Sequence, residues 1–162
     1  MIRKETTNLV QILEVMADLE LAAAELYKTC GQVWLVHKGF WDDMELAEIK
    51  HAANINRMSR IVSEEPQRFE LAHPLKPAAI QTSISGIKWN MQRIRDKALT
   101  EKSVLFIARD LEHSMLEARY PEILKTDDSE YKSLINEVFS DTLAHRERLE
   151  KRIKQIAPGV TH

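Results

Sequence analysis

Trp41, Met44, Glu48, His51, Ile55, Met58 and Val62 stand alternately three and four residues apart. Only a helix lines such positions up as one stripe, and a helix with an apolar stripe buries it against neighbours. Two places in the stripe hold a glutamate and a histidine where the pattern calls for apolar side chains. A fold that buries this stripe must therefore deal with buried charge.

The same anomaly recurs along the chain. A first helix is expected from about Asn8 to Cys30, with Gly31 suited to a left-handed residue after its end. Its stripe is Leu9, Leu13, Met16, Glu20, Ala23, Tyr27 and Cys30. A third striped helix starts near Thr100 as N-cap and stops or kinks at Pro121, with Leu105, Ala108, Glu112, Met115 and Arg119 in line. A fourth runs from about Ser129 to Ile156 and carries Tyr131, Ile135, Val138, Thr142, His145, Leu149 and Ile156.

Four glycines and five prolines in 162 residues are too few for the turns of a sandwich or barrel. We expect an all-α protein, a single domain over residues 1–162. Ser63 to about Leu99 holds Pro66, Pro74 and Pro77 and is too long for a hairpin turn. Its second half has a stripe of its own, Ile80, Ile84, Ile87, Met91, Ile94 and Ala98, interrupted by Gly86. The expected architecture is a four-helix bundle of two antiparallel hairpins joined by a long crossover that contains an extra helix.

Composition also narrows the partners. The 23 basic and 25 acidic residues leave a net charge of -2, with no basic stripe to neutralise phosphates, so nucleic acid is not expected. The longest apolar run is the five residues from Val104 to Ala108, against the ~18 that read as a membrane span. Gln11, Glu14 and Asp18 interrupt what would be the apolar stretch of a signal peptide behind Arg3 and Lys4, and the chain reads as cytoplasmic. One cysteine, Cys30, excludes an internal disulfide and a four-cysteine knuckle, so any metal ligands are oxygen and nitrogen.

An internal repeat ties the hairpins together. Asp18-Leu19-Glu20, followed by Glu25 and Tyr27, resembles Asp110-Leu111-Glu112, followed by Glu117 and Tyr120. His51 lies 31 residues after Glu20, and His145 lies 33 after Glu112. Each hairpin thus offers an acid and a histidine at a similar height.

Glu48 and His51 are three apart on one helix face, so a carboxylate and an imidazole can meet at one point on the bundle axis. A buried acid needs a proton, a salt bridge or a cation. Three acids and two histidines at one level, Glu20, Glu48, Glu112, His51 and His145, make a metal ion the simplest answer, with iron, manganese or zinc suited to these ligands. The competing reading is a polar network in which Arg119, Lys50 or the histidines neutralise the acids.

Glu20 with Tyr27, then Phe40, Ala47 and Glu48-Ile49-Lys50-His51-Ala52, then the repeat at Glu112, resembles the rubrerythrin-like branch of the ferritin-like superfamily. The resemblance implies a ferritin-like bundle holding two metal ions, usually iron, that reduce peroxide or dioxygen. It implies Glu20, Glu48, His51, Glu112 and His145 as ligands. The fourth helix departs from the family pattern: it reads Thr142-Leu143-Ala144-His145, with a threonine where the resemblance asks for a glutamate. Asp141 is one turn from His145 but rotated and short-armed. With that acid missing, one tightly held ion is expected at Glu20, Glu48 and His51, with the His145 side weak. The chain has no four-cysteine electron-donating module, so redox turnover requires an external electron donor. The alternative function is a non-catalytic ferritin-like bundle that binds a metal or a partner. A storage shell is disfavoured, because no acidic nucleation surface is visible.

Other side chains read more plainly. Tyr27 and Tyr120 are expected in the core, Cys30 as a small buried apolar residue, and Glu25 and Glu117 in water. His113 points about 100° from Glu112 and reads as surface. His37, His73 and His162 fall in loops or the tail. Trp34, Trp41 and Trp89 exceed what a small bundle needs, which places one of them at an oligomer contact, expected as a homodimer.

Overall fold

The computed structural model describes residues 2–73 and 75–156, with the side chains of 2–6 left aside. Pro74 and His162 lie outside the described residues. Among the described residues six helices follow one another: α1 (Ile2–Val33), α2 (Lys38–Glu64), α3 (Pro77–Arg95), α4 (Glu101–Glu117), α5 (Tyr120–Ile123) and α6 (Ser129–Ile156). The protein is all-α apart from one two-residue bridge, in which β1 (Glu70–Leu71) pairs antiparallel with β2 (Leu124–Lys125).

The striped positions are the buried ones. On α1 and α2 every stripe residue read from the sequence is buried, acids and histidine included. Cross-helix pairs fix the directions. Asp43 pairs with Arg148, Lys50 with Glu137, and Arg57 with Glu130, so numbers rise along α2 as they fall along α6. These two helices are therefore antiparallel. Short connections make α1–α2 and α4–α6 antiparallel too, which leaves α2 and α4 running the same way. The chain must then return along the bundle between them. The 19 residues of α3, about 28 Å at 1.5 Å per residue, make that return while packed on α1 through Ile80, Ile84, Ile87, Met91 and Ile94.

Several local expectations are corrected. Gly31 does not end the first helix, which continues to Val33 and is closed by Trp34 N–H on the Cys30 carbonyl at 2.9 Å. The glycine serves packing instead: a Cβ there would stand 3.3 Å from Asp42 Oδ1 and 3.5 Å from Trp41 Cβ, so its absence lets α2 come close. Arg119 is not in the α4 stripe. It takes the left-handed conformation (φ 53°), which breaks the helix two residues before Pro121 and turns Tyr120 back into the core. Pro121 then sits in the first turn of α5, where it lacks no needed donor. Ala98 lies past the end of α3, Gly86 leaves that helix unbroken, and Ile153 rather than Ile156 closes the α6 stripe. Of the tryptophans, Trp41 is core and Trp89 on α3 is exposed.

The caps follow from local chemistry. Thr100 accepts from Ser103 N–H at 3.1 Å, and Asp128 Oδ1 accepts from Tyr131 N–H at 2.8 Å, satisfying first-turn donors of α4 and α6. Arg68 reaches Asp127 and Asp128 at 3.1 Å, which ties the start of the crossover to the same end of the bundle as the strand bridge. At the end of α3, Ala98 N–H bonds the Arg93 carbonyl and Lys97 N–H the Ile94 carbonyl, a Schellman motif with Lys97 in the glycine position at φ 58°. Lys97→Gly should therefore stabilise the fold by about 0.5–1 kcal/mol, read as a higher urea midpoint. An unchanged or lower midpoint would contradict the strain assigned to this residue.

Candidate metal centre

Glu20 from α1, Glu48 and His51 from α2, Glu112 from α4 and His145 from α6 meet in the bundle interior, and none is more than 5% exposed. Glu48 stands in the middle. Its Oε1 lies 2.9 Å from His145 Nδ1 and its Oε2 lies 3.4 Å from His51 Nδ1. His51 Nδ1 is also 3.8 Å from Glu20 Oε2, and His145 Nδ1 is 3.7 Å from Glu112 Oε1. The two imidazoles face one another with ring centroids 5.4 Å apart. All five residues singled out in the sequence thus share one site.

The geometry resolves into two overlapping groups. Glu20, Glu48 and His51 form one, Glu48, Glu112 and His145 the other, and within each group one ligand atom per residue lies within 4.8 Å of the others. Glu48 belongs to both. Either group could hold a metal ion.

Among the described residues neither lysine nor arginine neutralises the acids. Lys50 is occupied by Glu137, and Arg119 pairs with Glu122 out on the surface, so the sequence-level alternative loses both of its permanent cations. Only the histidines remain. Both oxygens of Glu20, and Oε2 of Glu112, are buried without a hydrogen-bond partner. An orphaned carboxylate in a dry core is costly, and the sites that tolerate one normally supply a proton or a cation.

The protonation states reflect this. Burial first, and then the negative charge of Glu48, hold the Glu20 carboxyl well above the usual carboxylate range. Burial lowers His51, but the neighbouring carboxylates of Glu20 and Glu48 outweigh it and raise the imidazole to about 11. His145 is likewise lowered by burial and raised further by Glu112 and Glu48, to about 9. Without an ion, protons supply the positive charge that the cluster requires.

The surroundings are asymmetric. His51 Nε2 lies 3.1 Å from Asp141 Oδ2, so this half-exposed carboxylate orients the ring from behind and aims Nδ1 at the acids. Asp141 therefore does not take the place of the missing glutamate beside His145. Thr142 does not either: its hydroxyl donates to the Val138 carbonyl at 2.8 Å within its own helix. Glu112 Oε1 accepts a 2.6 Å hydrogen bond from Tyr27 Oη, a contact between the hairpins that neither stripe alone reveals. His113 is a surface residue, paired with Glu117 at 3.0 Å, and Glu25 is exposed as well. Cys30 is fully buried.

A cleft of about 160 Å³ between α1, α3 and the α4–α5 break is lined in part by Leu19, Met115 and Tyr120. Leu19 precedes Glu20 in the chain, and burial first, then the charge of Glu20, push the Tyr120 phenol well up. No helix among the described residues is long and apolar enough to cross a membrane. Comparison with family models, curated proteins and solved structures finds no match for this chain.

Proposed function

We propose that this chain is a ferritin-like protein of the rubrerythrin-like kind that binds iron at the buried cluster and reduces peroxide or dioxygen with electrons from an external donor. The observation that carries the reading is Glu20, fully buried with neither oxygen hydrogen-bonded, in a cluster whose counter-charges among the described residues are two imidazoles. Carboxylate and imidazole donors suit iron, and also manganese and zinc. A bound iron supplies a Lewis-acidic, redox-active position for an oxygen ligand.

The residues of the chain would do the rest. Glu20, Glu48 and His51 would hold the stronger site, because Asp141 fixes His51 and no hydrogen bond engages the Glu20 oxygens. On the other side Glu112 already accepts from Tyr27, and the Thr142 hydroxyl is spent on the Val138 carbonyl of its own helix. Charge counting agrees. Three carboxylates are balanced by one divalent ion and one protonated histidine, whereas two divalent ions would leave the buried site with excess positive charge. The cleft beside Tyr120 has room for a ligand of a few atoms.

Elemental analysis of protein from iron-supplemented cells should find about one ion per chain, and Thr142→Glu should raise it toward two by restoring a second shared carboxylate. If both forms bind none, the cluster is a proton-neutralised structural network. If the parent chain already binds two, the weight placed on Thr142 is wrong. Bound metal without peroxide or dioxygen turnover favours the non-catalytic metal-binding alternative, for which the same Thr142 speaks.

A further inference from the structure

Tyr27 joins the metal centre to a second set of contacts. Its hydroxyl donates to Glu112 Oε1 at 2.6 Å, while its ring stacks on Trp41 with centroids 5.8 Å apart and planes at 29°. The Trp41 indole N–H points at Glu101 Oε2 over a long 3.4 Å, and Glu101 Oε1 lies 2.5 Å from His37 Nδ1. Solvent exposure climbs along this series. Tyr27 and Trp41 are fully buried, the Glu101 side chain is 12% exposed and that of His37 34%. Val36, beside His37 in the α1–α2 connection, is 93% exposed.

A helical core needs apolar volume from its aromatics. It does not need a carboxylate set against the hydroxyl of one oxidisable ring and the N–H of the next. We propose that Tyr27 and Trp41 form a one-electron relay between the buried cluster and the surface at His37, where a one-electron reductant delivers its electron. The purpose of the relay rests on the redox reading of the metal centre, while its geometry and its test need no ion.

The steps balance as follows. Peroxide would be the oxidant: its reduction to two waters takes two electrons and two protons, so the relay would run twice for each peroxide, one electron at a time. Tyr27 passes one electron inward and its phenolic proton to Glu112 Oε1, becoming a neutral radical. Trp41 then gives one electron to Tyr27, which recovers its proton from Glu112, and the indole proton moves to Glu101 Oε2. The donor at the surface reduces Trp41, which takes its proton back from Glu101. One electron has moved from donor to centre, and the relay is unchanged.

The test uses the full chain free of metal, with a ruthenium polypyridyl photo-oxidant attached to the thiol of a Val36→Cys variant. Burial of Cys30, which also pushes its thiol well up, keeps the label off the native cysteine. A flash in the presence of a dissolved electron acceptor oxidises the label, and transient absorption and electron paramagnetic resonance follow the tryptophan and tyrosine radicals. We expect a tyrosyl radical that appears at least an order of magnitude more slowly in Trp41→Phe. In Tyr27→Phe the tryptophan radical should persist without a tyrosyl successor. Glu101→Gln keeps both rings and should slow tryptophan oxidation, which decides the matter if either ring variant loses its helical circular dichroism. A parent chain without tyrosyl radical, an unchanged rate in Trp41→Phe or in Glu101→Gln, or an undiminished tyrosyl signal in Tyr27→Phe would overturn the relay. Because no metal is present, these outcomes are separate from the failure of metal binding itself.

Discussion

Glu48→Gln should abolish metal binding, weakening it by more than about 100-fold in a competition titration. Glu48 is the one residue common to both ligand groups, and its two oxygens face His145 and His51 respectively. Removing its charge therefore damages both groups at once, whereas Glu112→Gln touches only the second. The glutamine is nearly the same size and can still accept from one imidazole, so the metal-free variant should keep its helical circular dichroism. If Glu48→Gln binds iron or zinc as tightly as the parent, the ion does not sit in this cluster. If Glu112→Gln is equally disabling, the ion lies between the hairpins and not on the α1–α2 side.

The second large effect is on stability against pH. In the metal-free protein both histidines hold their protons to higher pH than the ordinary value near 6.5, His145 to about 9 and His51 to about 11. A raised folded-state value means stability fully present below pH ~6.5 and lost as pH rises through the folded value. The raised carboxyl of Glu20 has the same sign, because the folded chain keeps a proton that the unfolded chain releases. The metal-free protein should thus lose about 3 kcal/mol between pH 6.5 and 9.5 from His145 alone, roughly 10 °C in Tm for a chain of this size. Metal reverses the trend, because the ion replaces the protons. An ion at Glu20, Glu48 and His51 would take the place of the protons on Glu20 and His51, about two per ion. Calorimetric titration in buffers of different ionisation enthalpy should find about two protons released per ion. A metal-free Tm that is flat from pH 6.5 to 9.5 would remove the basis for this account.

The centre was legible because its residues violate the stripe they occupy. Glu20, Glu48, His51, Glu112 and His145 each sit where a leucine would be expected, and periodicity places a residue on the inner face whatever its chemistry. Thr142 could be read in the same way. What the pattern could not supply is side-chain direction and partner choice. Asp141 is one position off the stripe, so it reaches only the back of His51 and acts on the ring from outside. The left-handed turn at Arg119 was hidden by Pro121, a stronger local breaker nearby. Gly31 carried the composition of a helix end, yet the close approach of Trp41 and Asp42 decided its use, and that approach depends on the second helix. The Glu101–His37 contact and the β1–β2 bridge join residues far apart in sequence, and no local spacing announces either.

The crossover also sets an order of assembly. Glu20, Glu48 and His51 belong to a hairpin complete by Glu64, while Glu112 and His145 arrive only when the second hairpin docks after the α3 return. Until then the first three ligands are hydrated, and their charges cost little. The desolvation of the acids is incurred in the docking step, between elements as distant in sequence as Glu48 and His145, and such non-local events are the slow ones. An ion held by Glu20, Glu48 and His51 would load onto the first hairpin alone and neutralise the charge that docking then has to desolvate. Its mark should then fall on the rate of docking, because it acts before the step that is slow.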